Sequence, residues 1–192
     1  MYQKYFKRLF DLILCLVLIL PLLPIMILIF FLVWFNIGFP IFLQKRPGLN
    51  NKIFTLYKFK TLYDATKDNS ESRRQNKVGN FLRKSGLDEL PQLFNILMNN
   101  MSFVGPRPLL IEYLKQYTKY EKKRHLAKPG ITGFYAVNPE TTRVKSWKKQ
   151  IKYDVYYVNK ISFYLDIQIL FKTIKIIFLG KKQYQDFKKF YE

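Results

Sequence analysis

The pattern of apolar and charged positions divides the chain near residue 43. No charged residue and no histidine occurs from Leu12 to Leu43. A straight helix of that length would measure roughly 48 Å, which exceeds the hydrocarbon core of a bilayer at about 30 Å. The remaining residues mix apolar and charged positions and are numerous enough to bury a core. The pattern therefore predicts a membrane-anchoring segment at 1–43 and a folded catalytic or binding domain at 44–192.

The apolar segment could form a single membrane span, but two features favour a hairpin that returns to the same face. Cationic residues flank it at both ends, for example Lys7 and Lys45, whereas a single span would put one of these flanks on the unfavoured side. Pro21 and Pro24 lie near its middle, where each removes a helix hydrogen bond and favours a kink. We therefore expect a re-entrant membrane helix broken near Pro24.

The rest of the chain predicts a β-hairpin followed by helices. We expect strands at 41–46 and 52–60, a loop at 64–80, a helical turn at 81–84, helices at 88–98, 109–126 and 162–179, and a turn at 129–133. The period of two in the second strand puts Lys58 and Lys60 on one face. The predicted fold class is α+β, dominated by helices.

Composition changes the picture of the partners. The chain has 33 Lys and Arg against 13 Asp and Glu, a net charge of +20, yet 49% of it is hydrophobic and 18% aromatic. Disordered basic tails lack such residues. A membrane offers both anionic charge and an apolar interior, whereas nucleic acid offers only the charge. With one cysteine and one histidine, an intramolecular disulfide and a usual zinc site are excluded, so any metal must rest on carboxylates.

The adjacent carboxylates of Asp88 and Glu89 are the first candidates for chemistry. In the local interpretation Asp88 caps a helix, Glu89 complements its dipole and Pro91 occupies the first turn. In the chemical interpretation the two side chains serve different roles, because neighbours on a helix diverge by about 100°. One could attack phosphorus as a nucleophile, and the other could hold Mg²⁺ together with substrate phosphates.

Such a site needs cations for the phosphate oxygens. Arg83 lies shortly before the two carboxylates, and Arg107 stands between Pro106 and Pro108, which stiffen its loop. Lys58 is a third source of positive charge. For each of them the competing interpretation is a solvated basic face that contacts anionic lipid.

The run Leu-Asp-Glu-Leu-Pro-Gln-Leu at 87–93 resembles the signature of the bacterial sugar transferases, the monotopic phosphoglycosyl transferases. Further blocks resemble this family in the family's order, at 46–48, 57–61, 101–108 and 128–133. Within this family the chain is similar to the small enzymes of the N-linked protein glycosylation type. The resemblance implies a re-entrant helix, a β-hairpin and interfacial amphipathic helices, with the catalytic domain on the cytoplasmic face of the bacterial inner membrane.

The resemblance also implies a reaction. Family members move a sugar-1-phosphate from a UDP-sugar to polyprenyl phosphate, such as undecaprenyl phosphate, and release UMP. Asp88 matches the nucleophile, which forms an aspartyl-phosphosugar intermediate, and Glu89 matches the Mg²⁺ ligand. Lys58, Arg83 and Arg107 match basic residues at the substrate phosphates.

The segment after residue 133 departs from the family pattern. The family reads close to Ala-Gln-Val-Asn-Gly-Arg before a Ser-Trp pair, whereas here Ala136 takes the glutamine position and Pro139 and Glu140 replace the Gly-Arg pair. Arg143 is the candidate substitute for the displaced phosphate-binding arginine, through a shift of register. Sugar preference is the property that this change affects. His125 follows the family pattern, and its expected role is packing.

Two other functions compete with the enzyme. A membrane-bound scaffold or nucleic-acid-binding protein is suggested by the basic face and a pI of about 9.9, but no base-stacking signature, zinc module or helix-turn-helix supports it. No nucleic-acid partner is therefore expected. An inactive homologue is suggested by the altered segment at 134–143.

Overall fold

The computed structural model describes residues 2–65, 70, 74–138 and 147–179. They form a helix-dominated α+β fold, as predicted. The helices are α1 (Lys7–Ile37), α2 (Lys77–Ser85), α3 (Gln92–Leu97), α4 (Trp147–Lys160) and α5 (Phe163–Leu179). The strands are β1 (Ile41–Pro47), β2 (Ile53–Phe59), β3 (Ser102–Val104) and β4 (Gly130–Thr132), which pair as β1–β2 and β3–β4.

Contacts between residues group the chain into two units. The first unit contains Leu12–Lys45 and Thr55–Met98, and so most of α1 together with α2 and α3. The second unit contains Met1–Asp11, Arg46–Phe54 and Asn99–Glu192, and its described part includes β3, β4, α4 and α5. The predicted boundary between an anchor and a catalytic domain stays a prediction.

The first unit is built around α1, which continues as one helix through Pro21 and Pro24. Among the described residues it is the helix whose length and composition would allow it to cross a membrane, with a mean hydropathy of 3.2 over its most apolar window. Many of its side chains are exposed, including Leu20, Leu28 and Phe35. The re-entrant path of this helix stays a prediction.

The core of the first unit lies along one side of α1. The α1 residues in this core are spaced three or four apart, as on one face of a helix; they are Met26, Ile29, Val33 and Ile37. Phe59 of β2 and Leu82 of α2 complete the buried cluster. Leu87 and Leu90, on either side of Asp88 and Glu89, pack against it. The apolar stripe of α1 therefore supports the segment that carries the two carboxylates.

The predicted β-hairpin is confirmed. The backbone N–H of Lys60 donates to the carbonyl of Pro40 at its base, and that of Gly48 donates to Lys52 at its tip. A short helical turn at Leu49–Asn51 joins the strands. Asn50 and Asn51 have positive φ angles there, a conformation that asparagine tolerates better than most residues.

The predicted loop at 64–80 is wrong at its end, because α2 begins at Lys77. Asn76 caps the helix, and its side chain accepts a hydrogen bond of 2.6 Å from the N–H of Gly79. Gly79 also lies against the backbone of Thr61, where a Cβ atom would come within 1.9 Å of the carbonyl oxygen. The cap and this close approach put the start of the helix before the apolar residues that indicate it in the sequence.

Two predictions in the second unit are wrong. The helix predicted at 109–126 is a pair of 3-10 segments, Ile111–Gln116 and Glu121–Leu126. Thr118 and Glu121 form a reciprocal capping box that starts the second segment. The turn predicted at 129–133 contains β4, which pairs in parallel with β3 so that Ser102 faces Gly130.

The helix predicted at 162–179 is confirmed as α5, and Asp166 within it is fully buried. Its carboxylate forms a 2.5 Å ion pair with Lys7 and accepts hydrogen bonds from the hydroxyls of Tyr2 and Tyr157. A buried carboxylate is tolerated when its charge is paired and its oxygens are hydrogen-bonded. This network ties the N-terminal residues to α4 and α5 within the second unit.

Candidate active site

Asp88 and Glu89 lie in a 3-10 turn, Leu87–Glu89, between α2 and α3. Gly86 ends α2 in the left-handed conformation, with a φ of 75°, which glycine adopts without a steric penalty. Pro91 precedes α3 and cannot donate a backbone hydrogen bond. The single helix predicted at 88–98 is therefore divided at this proline, and the two carboxylates stand on a separate short turn.

Glu89 is paired with Lys58, near the end of β2. The distance between Nζ of Lys58 and Oε1 of Glu89 is 2.7 Å, and about a fifth of each side chain remains exposed. The structure thus brings together two of the residues that the sequence singled out. The pair is therefore only partly withdrawn from solvent.

Asp88 is more enclosed than its neighbour, with 9% of the residue exposed. In a 3-10 turn successive side chains diverge by about 120°, so the Asp88 carboxylate and the Glu89 carboxylate are directed differently. The local geometry matches a division of roles between the two. The helix-cap interpretation of Asp88 does not hold, since this residue lies inside the turn and the α3 helix begins later.

Asn95 is a positioning residue that sequence reasoning missed. It is fully buried on α3, and its side-chain amide donates to the carbonyl of Thr55 at 2.7 Å and accepts from the N–H of Tyr57 at 3.0 Å. Tyr57 directly precedes Lys58 on β2, and Thr55 lies three residues before it. The signal in the sequence is a polar residue inside the otherwise apolar run at 93–97.

Arg83 occupies the last turn of α2, where its side chain is exposed. It belongs to the same unit as Lys58, Asp88 and Glu89. Its place in the helix is also favourable for a cation, because the last turn carries partial negative charge. Arg83 thus lies at the surface of the unit that carries both carboxylates.

Arg107 belongs to the second unit, in the loop that follows β3. Its side chain is exposed. Arg46 lies close to this loop and donates to the carbonyl of Pro108 at 3.3 Å. Burial and the nearby positive charge of Arg107 both lower the pKa of Arg46. Arg143 lies outside the described residues.

The Mg²⁺ that the family resemblance implies would have to be held by the carboxylates of Asp88 and Glu89. No group of three or more His, Cys, Asp or Glu side chains that could hold a metal occurs among the described residues. Mg²⁺ commonly binds through one or two protein carboxylates and completes its shell with water and substrate phosphates. Glu89, with Asp88 beside it, fits such a site and does not fit a cage built entirely from protein ligands.

His125 is part of the packing, as expected. It is 4% exposed, its Nδ1–H donates to the carbonyl of Gly48 at 3.2 Å, and its ring lies 5.7 Å from that of Tyr117. Burial, together with the positive charge of Arg124, lowers the pKa of His125 to about 4. A histidine that is neutral at physiological pH and enclosed in this way is not the base of the candidate site.

Comparison with known proteins gives a match that spans most of the chain. The matching family is described as bacterial sugar transferase, and it covers residues 2–180. The match includes both carboxylates and each basic residue of the candidate site.

Individual relatives agree with this match. The uncharacterized sugar transferase EpsL of Bacillus subtilis (strain 168) is 43% identical over 91% of this chain and 88% of its own length. The UDP-glucose:undecaprenyl-phosphate glucose-1-phosphate transferases of Xanthomonas campestris pv. campestris and Escherichia coli (strain K12) are 40% and 36% identical over 74% and 75% of this chain. The chain spans about a third of the length of those two relatives, 32% and 34%.

Proposed function

Because the chain belongs to the bacterial sugar transferase family, we propose that it transfers a sugar-1-phosphate from a UDP-sugar to polyprenyl phosphate, such as undecaprenyl phosphate. The observation that carries the proposal is the enclosed Asp88 beside a Glu89 that is paired with Lys58. The two transferases from Xanthomonas campestris and Escherichia coli are named for this type of transfer.

In the first step a carboxylate oxygen of Asp88 attacks the phosphorus that bears the sugar. The bond from this phosphorus to the bridging oxygen of the diphosphate breaks, and UMP leaves with the electron pair. In the second step an oxygen of polyprenyl phosphate attacks the same phosphorus, and the bond to Asp88 breaks. The product is a lipid diphosphate sugar, and the carboxylate is regenerated.

The low exposure of Asp88 supports this role, because a covalent phosphosugar intermediate must be protected from water. Lys58 orients the Glu89 carboxylate through their 2.7 Å contact. Mg²⁺ held by Glu89 would neutralise charge on the diphosphate oxygens. Arg83, Arg107 and Arg143 are proposed to contact the substrate phosphates, where the fixed positive charge of arginine stabilises developing anionic charge.

The experiment is UMP release from a panel of UDP-sugars with undecaprenyl phosphate and Mg²⁺. We expect Asp88→Asn to abolish UMP release. When the acceptor is omitted, the wild-type protein should gain the mass of one phosphosugar, and Asp88→Asn should not. Asp64→Asn is the matched control, because Asp64 has an exposed carboxylate on the same unit. Release of UMP by Asp88→Asn at the wild-type rate would exclude the nucleophile. An inactive wild-type protein would favour the inactive homologue.

We also propose that the protein lies in the bacterial inner membrane with its catalytic domain on the cytoplasmic face. The length and hydropathy of α1 support membrane association. Single cysteines at Gln3 and Asn36 can be labelled from either side in a background where the buried Cys15 is replaced by alanine. Labelling of both positions from the cytoplasmic side supports the re-entrant path, and labelling from opposite sides excludes it.

A further inference from the structure

An open apolar groove lies within the first unit and has a volume of about 770 Å³. Eleven residues line it, and none of them is charged. Its floor includes Met26 and Phe59, which also belong to the buried core. Its walls include Ile27, Phe94 and Met98, which are between 41% and 51% exposed. The groove therefore presents a continuous apolar surface that the described part of the protein does not cover.

One end of the groove reaches the segment that carries the candidate site. Tyr57 lines the groove, and Lys58, the partner of Glu89, follows it in β2. Pro91 also lines the groove and comes shortly after Glu89. Leu90, between these two residues, packs on the cluster that contains the floor of the groove. The charged pair of Lys58 and Glu89 and the uncharged groove are thus built from neighbouring residues of the same two segments, β2 and the segment that follows α2.

We propose that this groove binds the hydrocarbon chain of the lipid acceptor, so that the acceptor phosphate lies at the Asp88 and Glu89 end. This inference rests on the proposed function, since it assigns a place to the acceptor of that reaction. The arrangement matches an amphiphile that has one anionic head and a long apolar chain. The volume falls in the range of pockets that hold organic ligands, and it accommodates a part of a polyprenyl chain rather than all of it.

The uncharged lining separates the acceptor chain from the other substrate. A UDP-sugar carries a diphosphate and many hydroxyl groups, and burying these without hydrogen-bond donors or cations is costly. A hydrocarbon chain gains favourable free energy for each methylene group that leaves water. Part of the lining, including the exposed Ile27, belongs to α1, the helix that a bilayer would meet, so in this proposal a lipid chain enters the groove from the bilayer.

The first test compares acceptors of different chain length in matched variants. Ile27 lines the groove and Ile25 does not, although both are exposed isoleucines of α1. With undecaprenyl phosphate, Ile27→Trp is expected to raise the acceptor KM by about tenfold, which corresponds to excluding a few methylene groups. With geranyl phosphate the increase should be several times smaller. Ile25→Trp should leave the ratio of the two acceptors at the wild-type value.

An unchanged ratio of the two acceptors in Ile27→Trp, or an equal change in Ile25→Trp, would overturn the inference. Met98→Trp, at a lining residue outside α1, provides a second variant in case Ile27→Trp fails to fold. If the wild-type protein releases no UMP, the proposed function fails, and the kinetic comparison does not apply. A binding measurement then decides the inference by itself.

That measurement uses a prenyl phosphate with a photoreactive diazirine in its chain, added to the full chain in phospholipid nanodiscs. We expect cross-links in peptides that contain Phe94 and Met98, and we expect undecaprenyl phosphate to compete with the probe. Competition by added phospholipid to the same extent would show that bulk lipid fills the groove, and it would contradict the assignment. Labelling spread evenly over the exposed face of α1 would contradict it as well.

Discussion

Arg124 holds the backbone of Arg107, since its Nη2 donates to the Arg107 carbonyl at 2.5 Å. The same nitrogen lies 2.6 Å from Oδ2 of Asp154, and this ion pair is almost completely buried. The backbone of the loop that carries the exposed Arg107 side chain is therefore held in place by a second, buried arginine. In the sequence Arg124 is only one member of a basic run, and nothing there distinguishes it from its neighbours.

Asp154→Asn should destabilise the protein by about 3–5 kcal/mol. The substitution leaves the buried Arg124 guanidinium without its counter-charge, and this is the costly way to break a buried ion pair. The free energy of unfolding in detergent micelles measures the effect. Lys122→Ala, which changes an exposed residue in the same 3-10 segment, should alter stability by no more than about 0.5 kcal/mol.

The double variant Arg124→Met with Asp154→Leu separates stability from positioning. Replacing both charges by apolar side chains of similar volume often restores stability, but it removes the donor to the Arg107 carbonyl. We expect stability close to that of the wild type together with a raised KM for the UDP-sugar. Wild-type kinetics in a stable double variant would show that the Arg124 contact does not position Arg107 for substrate.

Lys58→Ala should lower the rate of UMP release by about 100-fold or more, because it removes a cation from a site where phosphoryl charge develops. Stability should change by no more than about 1 kcal/mol, since the ion pair with Glu89 is partly exposed. Steady-state kinetics and thermal unfolding measure the two effects. Lys52→Ala, at an exposed position of the same hairpin, is the control. A rate within about twofold of the wild type would exclude a catalytic contribution from Lys58.

Asn95→Ala should cost about 2–4 kcal/mol of stability, because it leaves the Thr55 carbonyl and the Tyr57 N–H without their side-chain partners. The strand that carries Lys58 should also become more mobile. Hydrogen exchange at Tyr57 measures this directly and should accelerate. Asn100→Ala, two residues beyond Met98, is the control. Unchanged exchange at Tyr57 would contradict the role of Asn95 in holding β2.

The sequence predicted the features that depend on local pattern. The hairpin follows from alternating residues around an Asn-rich turn, and α5 follows from a long apolar period. The starts of α2 and of the second 3-10 segment were missed, although Asn76 and Thr118 mark them as caps. The β3–β4 pair could not be predicted, because parallel pairing depends on contacts between Ser102 and Gly130, which are distant in sequence.

In the candidate site, too, the sequence pattern predicted local features and missed the contacts between separate elements. Asp88 and Glu89 are visible as a motif, and the resemblance pointed to Lys58. The contact between Lys58 and Glu89 and the hydrogen bonds of Asn95 depend on packing between β2 and the segment that follows α2. Periodicity describes each element by itself, and it carries no information on which side chains of separate elements meet.

The pH dependence of stability should reveal the buried His125. Its pKa is lowered from 6.5 to about 4 in the folded protein, so the unfolded state binds a proton at a higher pH than the folded state does. Stability from this residue is complete above pH 6.5 and is lost as the pH falls toward 4. The shift corresponds to about 3 kcal/mol.

His125→Asn separates the titration of the histidine from that of the other groups. The asparagine amide can donate to the Gly48 carbonyl in place of Nδ1, but it does not titrate. Because every other titrating group is present in both proteins, the difference between them reports the titration of His125. The free energy of unfolding, measured from pH 7.5 to pH 4, should therefore fall more steeply for the wild type than for the variant. Parallel curves would mean that His125 is protonated in the folded state as easily as in the unfolded chain.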